Sequence, residues 1–112
     1  MRIVDVYYND IKAGFLTVVN PGKNYTFTYD DDYLATDNPP VSLTISKKIK
    51  EYHSPYLFPF FSNMLPEGRN REVYCRLFKL DADDEFGLLL NLADGDFIGA
   101  VNIRTHNPSP QA

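Results

Sequence analysis

"FPFFSNMLPEGRNREVY", Phe58 to Tyr74, is where the chain changes its period. Upstream, apolar and polar residues alternate. From here on, apolar residues recur about every 3.6 positions. Pro59 suits the first turn of a short helix over Phe58–Leu65, which Pro66 and Gly68 interrupt. From Arg69 onward, Val73, Leu77 and Leu80, with Tyr74 and Phe78, trace the stripe of a second helix. So much apolar surface set against so abrupt a turn is core, an active-site loop, or a surface made for another protein.

Working outward toward the N-terminus, "RIVDVYY" sets Ile3, Asp5 and Tyr7 against Val4, Val6 and Tyr8 and reads as a strand. Asn9-Asp10 is a turn pair and "IKAGFLTVV" the returning strand of a hairpin. Gly14 inside it predicts a bulge or a close backbone approach. "NPGKN" is a second turn, and "YTFTYD" a third strand with Tyr25, Phe27 and Tyr29 on one face. "DDDYLATDNPP" reads as a loop with one helical turn, "VSLTIS" as a fourth strand, and "KKIKEYHSPYL" as a polar connection.

Toward the C-terminus, Asp81 to Asp84 end the second helix and offer N-caps for a third. In "EFGLLLNLA", Phe86, Leu89, Leu90 and Ala93 fall at i, i+3, i+4 and i+7, and Gly95 provides a C-cap region. "FIGAVNIR" is a closing strand, and "THNPSPQA", residues 105–112, a polar tail. Strands first and helices after predict an α+β domain over residues 1–104. Its antiparallel sheet of about five strands packs with two or three short helices.

At 112 residues the chain makes one domain, long enough to bury a core. Hydrophobic residues make up 44% and charged residues 23%, ordinary for a globular fold. The net charge of −4, from 11 Lys and Arg against 15 Asp and Glu, speaks against direct binding of nucleic acid. The clusters Lys47, Lys48, Lys50 and Arg69, Arg71 are too short to reverse that sign. Cys75 stands alone, the N-terminus has no signal-peptide pattern, and no apolar run is long enough to span a membrane. These features predict a cytoplasmic protein.

No catalytic, cofactor or metal site is expected. His53 and His106 are distant in sequence, and Asp30 to Asp32 lack the spaced ligands and glycine of a calcium loop. Cys75 falls inside an amphipathic helix and reads as an inert side chain. "NPGKN" and "PEGRNR" each hold one glycine, too few for a phosphate cradle. Asp94-Gly95-Asp96 reads as a loop rather than a cation site. What remains is a contact surface. In a short helix from Phe58, Phe61 and Leu65 share one face and Phe60 and Met64 another, and a single sheet covers only one of them. An apolar face left open marks a binding site. We expect Phe61, Asn63, Glu67, Arg69 and Arg71 to contact a partner, while Phe60, Leu65 and Val73 fill the core.

"YLFPFFSNMLPEGRNR" followed by "DEFGLLLNLADGDFIGAVNI" resembles the N-terminal subdomain of HipA-type serine/threonine kinases, the toxins of bacterial toxin–antitoxin modules. Further blocks match at Gly14-Phe15-Leu16, at Phe27, Tyr29, Tyr33 and Leu34, and from Pro40 to Ile45. Others match from Phe60 to Gly68, with Met64 where the family has Leu, and from Gly95 to Val101, with the spacing compressed by one residue. The resemblance covers nearly the whole chain. In that family the ATP site, catalytic Asp and metal ligands belong to a large domain that follows. The resemblance therefore implies a non-catalytic protein of a type II toxin–antitoxin module, similar to the small HipS subunit that accompanies a shortened kinase, HipT. It implies as partner a HipA- or HipT-like kinase, which the chain regulates by neutralising it, with a HipB-like DNA-binding protein in the same complex. The alternative is the N-terminal subdomain of a larger HipA-like kinase, encoded or expressed without its catalytic domain. A small metabolite-binding or hydrolytic domain, with a pocket around His53 and Glu67, is the reading from another class.

Overall fold

Alternating sequence builds five strands, β1 (Arg2–Tyr8), β2 (Ile11–Asn20), β3 (Lys23–Tyr29), β4 (Glu51–Ser54) and β5 (Val101–Thr105). They form one antiparallel sheet in the order β4-β3-β2-β1-β5, in a computed structural model that describes residues 2–20, 23–93, 95 and 100–106. Four short helices complete the α+β fold: α1 (Asp31–Leu34), α2 (Pro59–Ser62), α3 (Gly68–Phe78) and α4 (Glu85–Leu92).

The first hairpin turns on Asn9 and Asp10, whose positive φ values of 47° and 68° match the twist of the strands they join. Between Val6 and Tyr7 the register slips: Val6 faces Gly14 and Tyr7 faces Lys12. Ala13 is thus the extra residue of a β-bulge, and its carbonyl accepts the Asp30 N–H at 2.8 Å. A side chain at Gly14 would overlap the Thr28 carbonyl oxygen and stand 2.9 Å from Tyr29 Cα. Both expectations for Gly14, a bulge and a close approach, are met.

One face of the sheet carries the core. Val4, Val6, Leu16, Val18, Tyr25, Phe27, Tyr29 and Ile103 are all buried there. The Phe27 ring meets Tyr29 at 4.9 Å edge-on and Phe61 at 5.9 Å. Tyr29 stacks on Tyr33 of α1 at 6.1 Å, and Tyr25 on Phe86 of α4 at 6.2 Å. α4 buries Phe86, Leu88 and Leu89, whereas Leu90 and Ala93 of the expected stripe are half-buried. The Asp84 side chain caps α4 by accepting the Gly87 N–H at 3.1 Å. Both its oxygens also receive the Arg2 guanidinium, at 3.1 Å each, which ties the start of β1 to the start of α4. A side chain at Gly87 would stand 2.9 Å from Arg2 Nη2, so glycine leaves room for this clamp.

Three expectations are corrected. "VSLTIS" is not a strand. It forms a turn with a single bridge between Ser42 and Ile45, held from inside by Tyr29, whose hydroxyl donates to the Ile45 carbonyl and accepts the Val41 N–H. Val41 and Ile45 point inward and Leu43 is 97% exposed, so the alternation is real but belongs to a pinned loop. The fourth strand lies instead in the supposed polar connection, with Tyr52 opposite Phe27 and His53 opposite Thr26. It is the sheet edge, and edge strands carry polar residues where central ones cannot. The helix expected over Phe58–Leu65 closes at Ser62, and the tighter bonds Met64 N–H to Phe61 O and Leu65 N–H to Ser62 O follow it.

At the C-terminus, Thr105 still belongs to β5 and His106 Nδ1 lies 2.8 Å from Asp5 Oδ1. Residues 107–112 of the expected tail lie outside the described residues, as do Asp94 and Asp96.

Burial pushes the Tyr29 hydroxyl up to about 12, so it remains a proton donor at any working pH. Tyr29→Phe leaves the Ile45 carbonyl and Val41 N–H without that partner. It should cost about 1–3 kcal/mol in denaturant titrations. The hydrogen bond from Arg2 holds Asp84 below the usual carboxylate range, with the Gly87 N–H adding to it. A lowered folded pKa means stability that is present above about pH 4 and lost as pH falls through the folded value. Asp84→Asn keeps a cap and loses the ion pair, so it should be less stable than the parent by about 1 kcal/mol or less at pH 7. That gap should vanish on acidification.

Candidate docking surface

Phe61 is 0% exposed and forms the hub of the core, with Phe27 on one side and Phe58 and Phe60 at 6.3 and 5.3 Å on the other. Phe60 is half-buried at its rim. This reverses the expected split: Phe61 is core rather than contact surface. With Pro59 opening α2, it is the third residue of the turn that faces the sheet. Leu65 is buried, as expected.

Arg71 also turns inward. Its Nε donates to the Pro66 carbonyl at 2.9 Å and its Nη1 to the Ala82 carbonyl at 3.2 Å, while Nη2 lies 3.5 Å from Glu85 Oε2. The Ser62 hydroxyl donates to the same carboxylate oxygen at 3.3 Å. Arg71 is therefore a strut joining the Leu-Pro-Glu-Gly turn to the start of α4. With Tyr25, Tyr56, Leu57, Asp83 and Glu85 it lines a cleft of about 250 Å³. Asn63, Glu67 and Arg69 are exposed.

Val73 is a second correction. Expected in the core, it is 45% exposed, and Leu77 is 71% exposed. Cys75 is the buried residue of α3. At 3.6 residues per turn, Arg69, Val73, Arg76 and Leu77 lie within about 100° of the helix circumference, and Cys75 and Arg71 lie on the opposite side. The stripe read from the sequence exists, but it faces outward. Phe78, 53% exposed, rests on Tyr74 at 4.7 Å. Asn91 Nδ2 donates to the Tyr74 hydroxyl at 2.5 Å and fastens α3 to α4. The signal that could have found this face is the pair Val73 and Leu77 bracketed by Arg69 and Arg76. A core stripe does not place two arginines beside its apolar residues.

His53 and Glu67 do not meet. His53 bonds to Thr26 Oγ1 and Glu51 Oε1, at 3.1 and 3.0 Å, and borders a cleft of about 480 Å³ with Val19, Tyr25 and Pro55, of which Glu67 is not a lining residue. Among the described residues, no three His, Cys, Asp or Glu are grouped to hold a metal ion. Nor is any helix there long and apolar enough to cross a membrane.

A sequence profile for the HipA N-terminal domain matches residues 4–104. The chain belongs to the HipA N-terminal domain family. It is 33% identical over 82 residues to an uncharacterized protein of Haemophilus influenzae, covering 73% of this chain and 74% of that one. It is 26% identical over 111 residues to the putative kinase Y4mE of Sinorhizobium fredii, covering 98% of this chain and 26% of that protein. The chain thus spans about a quarter of that relative. Among solved structures, an N-terminal domain of HipA toxin superposes with a TM-score of 0.70 at 26% identity, covering 97% of this chain and 96% of that one. The match runs through the Leu-Pro-Glu-Gly turn, α3 and α4, so the outward stripe is part of a HipA N-terminal domain rather than an appendage.

Arg71→Ala should lower stability by about 1–3 kcal/mol, because it strips two partly buried carbonyls of a charged donor. Arg69→Ala should stay within about 0.5 kcal/mol of the parent. Equal losses in urea titration would contradict the division between strut and surface.

Proposed function

We propose that this HipA-related domain is a non-catalytic, cytoplasmic regulator that binds a HipA- or HipT-type serine/threonine kinase and neutralises it. The module would be a type II toxin–antitoxin system, with a HipB-like DNA-binding protein as a further component. One observation carries the reading: 98% of this chain aligns with only 26% of a putative kinase. A domain that is one part of a longer protein must present a surface to the rest of it. The same domain, if encoded apart from the kinase, would keep that surface for it. The outward face of α3 is consistent with this, because its Val73 and Leu77 gain nothing from exposure in an isolated domain. The same alignment favours a second reading, in which the chain is the N-terminal subdomain of a larger HipA-like kinase. The reading frame downstream distinguishes the two.

The expected result of co-expression with the neighbouring kinase is a stable complex whose phosphotransfer is lower than that of the kinase alone. The purified domain by itself should neither hydrolyse ATP nor autophosphorylate, since its sequence holds no glycine-rich phosphate loop. Failure to co-purify, or phosphotransfer by the isolated chain after stringent purification, would overturn the proposal.

A further inference from the structure

We infer that the outer face of α3 is the docking element, and that it fits an apolar groove with an acidic rim on the partner kinase. This rests on the function proposed above and specifies the surface and its chemistry. α3 presents Val73 and Leu77 one turn apart, 45% and 71% exposed. A helix of 11 residues is about 16 Å long, which suits a groove that takes anchors at i and i+4.

Charge selects the occupant. The chain carries a net −4, yet along this helix Arg69, Arg76 and Lys79 stand against Glu67 and Glu72. Arg69 and Arg76 flank the apolar pair directly. A second copy docking face to face through the same helix would set Arg69 and Arg76 against their own counterparts. A nucleic-acid backbone would meet Val73, Leu77 and two carboxylates where it needs cations. An apolar groove edged with Asp and Glu satisfies both features at once, and its carboxylates would steer association.

The helix is also held in advance. Arg71 fastens its first turn to the Pro66 and Ala82 carbonyls, Cys75 is buried beneath it, and Tyr74 is tied to Asn91. None of these three lies on the outer face. Docking therefore needs no ordering of the helix, which removes one of the usual costs of association.

The test is titration of the cognate kinase with purified domain at low and high salt, by calorimetry or surface plasmon resonance. Leu77→Asp should weaken binding by about thirtyfold or more, the loss expected of a central anchor. The double variant Arg69→Glu, Arg76→Glu should bind more weakly and with a flatter salt dependence than the parent. Leu43→Ser, which removes a still more exposed leucine from the loop between α1 and β4, should bind as the parent does. Circular dichroism and thermal melting of each variant verify the fold, and Val73→Ser serves as a milder probe if Leu77→Asp melts early. If the α3 variants bind within twofold of a parent that does bind, the surface is wrong and the proposed function stands. If the parent forms a dimer that Leu77→Asp dissolves, the occupant is a second copy and the inference fails. If the parent binds no kinase, the proposed function falls and the occupant with it.

Discussion

The Phe27 ring sits where the problem of this fold is solved. A single antiparallel sheet exposes one apolar face, and the helices available to cover it are short: α1 and α2 are four residues each. Helices of that length cannot shield a five-stranded sheet by their own backbone. The cover is made of side chains instead, in a chain of rings running from Tyr33 through Tyr29 and Phe27 to Phe61 and on to Phe58 and Phe60. Large planar groups reach across gaps that aliphatic residues would leave open. This explains an aromatic content of 14% without a tryptophan. It also explains why the tyrosines are bonded at their far ends: the Tyr29 and Tyr33 hydroxyls donate to the Ile45 and Pro39 carbonyls and hold the loop between α1 and β4 over the sheet.

The elements that declared themselves in the sequence are those whose signal is local. Asn9-Asp10 tolerates positive φ, Gly14 accommodates the neighbouring strand, and Tyr25, Phe27 and Tyr29 alternate because one face is buried. The elements that did not declare themselves depend on what lies across from them. Val41, Leu43 and Ile45 alternate as a strand would, but they are pinned as a loop by a tyrosine hydroxyl twelve or more residues earlier in the chain. Glu51 to Ser54 looks polar because this edge strand buries no side chain fully and packs only Tyr52 against the core. Period alone cannot tell Phe60 from Phe61 when both neighbours on a short helix are aromatic.

The candidate surface was legible as a region and misread in its parts, for a related reason. Sequence treats Arg69 and Arg71 as equivalent charges near an apolar turn. In the structure one side of a helix separates them: Arg71 meets two carbonyls and a carboxylate, whereas Arg69 faces outward. Val73 was assigned to the core because a helical stripe usually points inward. α3 breaks that rule because it is anchored chiefly through Arg71, Tyr74 and Cys75, so its apolar stripe was never needed to hold it down.

That division gives α3 two independent jobs. Its inner side closes the domain through polar contacts that a buried backbone requires. Its outer side offers aliphatic residues that the domain does not use. A helix fixed from one side and apolar on the other would let the docking inferred above proceed with little rearrangement of the domain. The residues that fasten α3 to the domain and those it leaves exposed are therefore different residues of one helix, about half a turn apart around its axis.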